Sequence, residues 1–293
     1  MKSGFINVIG RPNVGKSTII NGIIGEKIAI TTSKPQTTRN IIRGILNLDD
    51  AQLVFIDTPG IHKPHRALGE RMNALAYGSL SGADATVLVV DGSLPFGTGD
   101  QYLVDNLTYE APLFIVLNKI DLTSFELIGK LKEKYHNIYP HATLIEMSAI
   151  RSFGFDDLVK ALLAVMPEGP LYFPRDIVSD RGDEFVITEI IREKAMTLLE
   201  QELPHSVAVV LDKYEMKENR DDIYAKIVCE RDSHKGLIIG KGGQMIRKIR
   251  HLATTDIVKF LKHPIALELY VRVQPNWRDD PKYFNALGLE DVE

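Results

Sequence analysis

The 293-residue sequence predicts an α/β domain over residues 1–170, with a mostly parallel sheet and helices on both faces. A smaller α+β domain follows over 186–293, after a linker at 171–185. Three observations predict this division. Five apolar runs, FINVIG, LVFIDTPG, TVLVVDG, LFIVLNKID and TLIEMSA, each end in a polar turn and alternate with helix-like stretches. Strands that are apolar throughout are buried on both faces, as in a parallel sheet covered by helices. The segment MPEGPLYFPRDIVSDRGD then collects Pro167, Pro170 and Pro174 with two glycines, the strongest break in the chain. Beyond it the order of patterns changes to α-β-β-turn-α-β.

Taken in order, FINVIG gives the first strand, and a glycine-bearing turn leads from it into the first helix. IIRGILNLDDAQLVFID reads as two strands joined by an Asp-Asp turn, a hairpin that adds one antiparallel strand at the sheet edge. The runs at 86–92, 113–121 and 143–149 supply further strands with helices between them. In the second domain a helix over about 187–203 precedes the strands SVAVVLDKYE and IYAKIVCERD. A strand-like apolar run, GLIIG, enters a glycine turn, and a helix over 244–260 and the strand IALELYVRV follow. In that helix Ile246, Ile249 and Leu252 are spaced for one apolar face, leaving Arg247, Lys248 and Arg250 to point elsewhere. Trp277 reads as an anchor that packs the terminal segment onto this domain.

Composition narrows the function classes. Hydrophobic content of 44% and charged content of 25% are ordinary for a soluble globular protein. The one cysteine, Cys229, excludes an intrachain disulfide and argues against a zinc cluster. The N-terminus does not read as a signal peptide, and no apolar stretch approaches membrane-spanning length, so a cytoplasmic protein is expected. Net charge is −4, but residues 231–278 hold ten basic and three acidic side chains, a local +7 against −11 elsewhere. An acidic body with one basic face suits a polyanionic partner.

The chemistry is concentrated at the strand ends, where open α/β sheets bind ligands. GRPNVGKS matches G-x-x-x-x-G-K-[ST] between a strand and a helix, the context that motif requires. The backbone of Gly10, Arg11, Pro12, Asn13, Val14 and Gly15 would wrap nucleotide phosphates. Lys16 would reach the β- and γ-phosphates and Ser17 would place its hydroxyl on Mg²⁺, with Thr18 adjoining. In the turn Asp57-Thr58-Pro59-Gly60, Asp57 can hold Mg²⁺ through water and the Gly60 N–H can sense a γ-phosphate. In NKID, a buried Asp121 can accept two hydrogen bonds from guanine, a donor pair that adenine lacks. Asn118 would tie the loops together, the Lys119 stem would lie along the base, and Ser148-Ala149 would offer the Ala149 N–H to guanine O6. In KPQTTRN a threonine could swing in to complete the Mg²⁺ shell, and Thr38 is favoured over Thr37. Each motif is weak alone, but all of them in order describe a guanine-nucleotide site.

The loops GRPNVGKS, QTTR, DTPG, NKID and SAI resemble those of the GTPase group that contains Era, Der and the tRNA-modification GTPases. PQTTR, DTPGIHKP and IIGKGG are similar specifically to the Era family. That resemblance spans nearly the whole chain and implies a Ras-like GTPase domain followed by a type II KH domain. It implies a GTPase with GTP/GDP and Mg²⁺ as ligands, with Lys16 and Thr38 in the hydrolytic site. Where Ras-like proteins carry a water-orienting glutamine, this chain has Ile61, which cannot hydrogen-bond water and reads as a shield. His62 and His65 read as solvated loop residues, so a slow intrinsic rate is expected.

The second glycine turn lacks the G-K-[ST] ending, so it is not another nucleotide loop. Gly240, Lys241, Gly242 and Gly243 fit G-x-x-G, which in KH modules lets a single-stranded nucleic-acid backbone approach closely. Arg247 and Lys248 on the next helix would add phosphate contacts. Charge alone does not separate RNA from DNA. The family resemblance implies the 3′ end of small-subunit ribosomal RNA, with a role in 30S subunit assembly, carried out by a monomer. Two rival readings stay open: a regulatory GTPase whose basic face makes peripheral contact with the cell membrane, and an RNA scaffold that only senses guanine nucleotide.

Overall fold

The computed structural model describes residues 1–280 except 33, 35–36, 65–66 and 201–202, together with 283–284. The first domain is built on a six-stranded sheet of β1 (Lys2–Gly10), β2 (Ile42–Asn47), β3 (Ala51–Asp57), β4 (Ala85–Asp91), β5 (Leu113–Asn118) and β6 (Thr143–Glu146). Its strand order is β2-β3-β1-β4-β5-β6, and every pairing is parallel except β2 with β3. The expected edge hairpin is therefore present, with its turn at Leu48–Asp50. β3, β4 and β5 are buried along almost their whole length, as their continuous apolar runs require.

Helices cover both faces. Helix α1 (Lys16–Ile24) and helix α5 (Phe155–Val165) share one core with the sheet through Ile19, Ile20, Leu158 and Leu162. On the other face α2 (Ala67–Gly78), α3 (Thr98–Asn106) and α4 (Phe125–Ile138) bury Ala76, Leu103, Ile128 and Leu131.

The stretch after α5 does not hang free. The Ile45 N–H on edge strand β2 donates to the Val178 carbonyl at 2.9 Å. Asp180 accepts from the Arg43 N–H, and the Gln52 side chain bonds Tyr172 and Phe173. This segment thus covers the outer edge of the sheet, an edge that would otherwise present unpaired backbone groups.

The second domain has the order α6 (Asp183–Leu198), β7 (Ala208–Glu215), β8 (Asp221–Cys229), α7 (Asp232–Ile239), α8 (Gln244–Leu261) and β9 (Ile265–Val273). β7 and β8 are antiparallel, while β8 and β9 are parallel, as the helical crossover between them demands. Three features differ from the sequence reading. Helix α6 starts at Asp183, inside the stretch read as linker, and stops at Leu198, before Pro204 can interrupt its hydrogen bonding. The apolar run of GLIIG lies in helix α7, not a strand, with Gly240 capping the helix: three apolar residues are too short a run to distinguish the two, and the turn beside α8 decides. In α8 the inward stripe is Ile249, Ala253 and Ile257, while Leu252 is exposed.

Trp277 is fully buried and its indole N–H donates to the Ser206 carbonyl at 3.0 Å, so it anchors as expected. It also joins a fourth apolar cluster in which Leu68, Met72 and Leu75 of α2 meet Ala208 and Val228 of the second domain. The two domains are therefore packed on each other beside the nucleotide loops.

Candidate functional site

A cleft of about 410 Å³ opens at the carboxyl ends of β1, β3, β5 and β6. Its walls include Pro12, Asn13, Gly15, Lys16, Ser17, Thr18, Thr38, Gly60, Asn118, Lys119, Asp121 and Ala149, so most residues singled out by motif converge there. The phosphate loop follows β1. Gly15 has φ +103, and a Cβ there would lie 2.2 Å from the Asn118 amide nitrogen, so only glycine fits. Buried Lys16 donates to the Gly10 and Arg11 carbonyls, both at 3.2 Å. The Arg11 side chain turns away from the cleft to pair with Asp100 at 2.8 Å.

Below the loop three oxygen groups meet. The Ser17 hydroxyl donates to Asp57 Oδ2 at 2.6 Å and lies 2.8 Å from the Thr38 hydroxyl, which is 3.3 Å from the same carboxylate oxygen. Asp57 Oδ1 is buried with no hydrogen-bond partner among the described residues. An all-oxygen donor set with an orphaned carboxylate oxygen fits a hard divalent cation such as Mg²⁺. Thr37, the alternative to Thr38, also lines the cleft, but its hydroxyl donates to the Lys34 carbonyl at 2.6 Å and takes no part in this oxygen cluster. Gln36 of the same motif lies outside the described residues. Burial pushes the Lys16 ammonium down to about 8 and the Asp57 carboxyl up, each opposed by the charge of the other. Phosphate and cation would restore both charges.

Thr58 lines no part of the cleft; its hydroxyl donates to the Val8 carbonyl at 2.8 Å and staples the turn to β1. Pro59 and Val14 are likewise buried beside the cleft without lining it. Ile61 differs from the shield read in the sequence. Its side chain is 1% exposed and lies in the core with Ile9, Leu88 and Val90, while its N–H donates to the Gly10 carbonyl. His62 Nδ1 lies 3.0 Å from the Gly60 carbonyl oxygen, and His65 lies outside the described residues.

At the other end of the cleft, Asn118 donates to the Val14 carbonyl at 2.8 Å and accepts from the Ala149 N–H at 3.0 Å. One side chain therefore ties the phosphate loop to the SAI loop, and the Ala149 N–H is shared with it before any base arrives. Asp121 is exposed rather than buried, held by a hydrogen bond from the Ser148 hydroxyl, so its burial must come from the base itself. Lys119, with φ +65, pairs with Asp91 at 2.6 Å, which holds its stem along the cleft wall. Ile30, Thr31 and Leu122 also line the cleft and carried no motif signal, and Ile150, the last residue of the SAI loop, lines it too.

The second glycine turn joins α7 to α8. A Cβ at Gly240 would meet Met245 at 2.8 Å, whereas one at Gly242 (φ +57) would meet open space. The first glycine permits the turn to close, and the second leaves a bare, exposed backbone. Lys241, Arg247 and Lys248 are exposed around it, and β9 is the free edge strand beside α8.

Both domains have counterparts among known proteins. Residues 5–119 match the family described as 50S ribosome-binding GTPase, and residues 202–278 match the KH domain. The chain is 46% identical over 294 residues to the GTPase Era of Clostridium kluyveri, covering 99% of this chain and 100% of that one. It is 44% identical to the GTPase Era of Clostridium tetani, with 98% of each covered. A crystal structure of Era in complex with MgGDPNP and nucleotides 1506–1542 of 16S ribosomal RNA superposes with a TM-score of 0.95 at 34% identity, covering 99% of this chain and 100% of that one. A variant of Aquifex aeolicus Era bound to GDP·AlF4⁻ gives the same score, identity and coverage. A phosphate loop with guanine-type base loops, a KH turn behind it, and likeness along the full length place this chain in the Era family of GTPases.

Proposed function

We propose that the protein hydrolyses GTP and uses its KH domain to bind small-subunit ribosomal RNA near its 3′ end, acting in 30S assembly and rRNA maturation. The observation that carries this is the coexistence of the two glycine loops in one chain, which matches over its full length an Era solved with MgGDPNP and 16S rRNA nucleotides. Ser17, Thr38 and Asp57 would hold Mg²⁺, which when bound would neutralise charge building on the phosphate oxygens. The chain's own groups do the rest. Lys16 sets an ammonium beside the β- and γ-phosphates, the loop amides orient them, and Gly60 offers its N–H to the γ-phosphate. Asp121 selects guanine. At the position of the Ras-type glutamine, Ile61 lies in the core and offers water no hydrogen bond, which suits a slow intrinsic rate.

Among the described residues no helix is long and apolar enough to cross a membrane. Phe260, the large aromatic of α8, packs against the domain core instead of standing out as a lipid anchor. We infer a monomer acting in the cytoplasm with its basic face on RNA; any peripheral contact with the cell membrane would have to use that same face.

The test is RNA affinity across a salt series for the parent and for Gly242→Asp. Asp tolerates φ +57 and meets no neighbour, so the variant should fold and bind mant-GDP normally while losing RNA by repulsion. Charge reversal at Lys241 or Arg247 should weaken binding to all single-stranded RNAs and flatten the salt dependence. Normal RNA affinity in Gly242→Asp would remove the KH assignment.

A further inference from the structure

We propose that Arg192, a residue of the second domain, is a positioning residue of the nucleotide site that holds Thr38 in its closed place. The proposal rests on the reading of Thr38 given above. Helix α6 presents Glu189, Arg192, Glu193 and Met196 along one face, toward the first domain. Arg192 has a side chain only 2% exposed. Its Nε donates to one Glu189 oxygen at 2.7 Å and its Nη2 to the other at 2.5 Å. That bidentate pair fixes the guanidinium, and Nη2 also donates to the Thr37 carbonyl. The Thr37 carbonyl belongs to the same planar peptide unit as the Thr38 nitrogen, so holding one orients the other.

Thr38 is pinned on its other side by the same domain. The Arg39 side chain crosses the interface, donates to the Val207 carbonyl at 2.8 Å, and sits 5.6 Å from the centre of the Trp277 ring. Farther back, the Thr31 N–H donates to Glu193 at 3.2 Å, and Lys27 pairs with Glu193 at 2.7 Å. The loop carrying Thr38 is thus bonded to α6 or its neighbours at residues 31, 37 and 39, while Thr38 itself faces Ser17 and Asp57. In this place the Thr38 hydroxyl stands with Ser17 and Asp57, where it would reach a cation bound beside a γ-phosphate. Arg192 therefore favours GTP over GDP, and by linkage GTP favours the docked position of the second domain.

The test compares Arg192→Lys with the parent and with Thr38→Ala. Lysine keeps Glu189 neutralised but cannot span both its carboxylate and the Thr37 carbonyl. Affinities for mant-GDP and for a mant-labelled non-hydrolysable GTP analogue are measured with Mg²⁺, alongside single-turnover phosphate release. Arg192→Lys should weaken the analogue by about tenfold, the size of one charge-assisted hydrogen bond, and leave GDP within about twofold. Equal losses for both nucleotides, or none for either, would overturn the positioning role. Thr38→Ala should lose analogue affinity selectively as well. If it does not, the reading of Thr38 itself fails, which separates the two ideas. Should Arg192→Lys not fold, the parent still decides. Acrylamide quenching of Trp277, the only tryptophan, should be stronger with GDP than with the analogue, and equal quenching would overturn the proposal.

Discussion

Replacing Ile61 tests what the position occupied by a catalytic glutamine in Ras-like enzymes does here. The side chain is 1% exposed and packs in the core that α2, α3 and α4 form against the sheet. Ile61→Ala removes three buried carbons and leaves a cavity in that layer, a change that costs about 2–5 kcal/mol. At roughly 2–4 °C per kcal/mol for a domain of this size, the unfolding midpoint should fall by several degrees. Ile61→Val should cost only about 0.5–1.5 kcal/mol. Ile61→Gln should not speed hydrolysis. It would bury an amide without partners, at about 1–3 kcal/mol, and the side chain would still point away from the cleft. The assay pairs thermal unfolding without nucleotide with single-turnover hydrolysis, normalised to sites counted by mant-GDP. Hydrolysis per folded site should stay within a few-fold for Val and Ala. A loss of about 10²–10³ in Ile61→Ala with an unchanged unfolding midpoint would refute the core assignment, because that is the size expected for removing a group aimed at the transition state.

Asp121→Asn replaces the carboxylate proposed to select guanine, so GTP affinity should fall relative to xanthosine triphosphate; competition against mant-GDP reads the ratio, and an unchanged preference would reject the base-recognition role. Burial places Lys16 at about 8 in the free protein, below its ordinary 10.5, so nucleotide-free stability should rise with pH between those values. Below about 8 the lysine is charged with or without nucleotide; above it the free site is neutral and each bound nucleotide takes up a proton, weakening binding by up to tenfold per pH unit. Calorimetry in two buffers of different ionisation enthalpy, a pH unit on either side of that value, should find proton uptake only on the alkaline side.

The strand ends, the phosphate loop, the base-reading motifs and the KH turn were legible in the sequence because each is local. A strand, a turn and a helix start fall within about a dozen residues, and the apolar runs of the parallel strands mark where they begin and stop. The hairpin at the sheet edge was legible for the same reason. Local pattern did not decide Leu252 or GLIIG, where a short apolar run suits either period and the packing of α7 and α8 settles it. Nor could it place Ile61, which lies next to Gly60 in sequence but turns into the core while its neighbour lines the cleft. The grip of Arg192 on Thr37 joins residues 155 positions apart. A charged residue on a helix looks the same in sequence whether it is solvated or buried. Only the docking of the second domain against the nucleotide loops removes Arg192 from water, and a guanidinium taken out of water must find its acceptors in the folded chain.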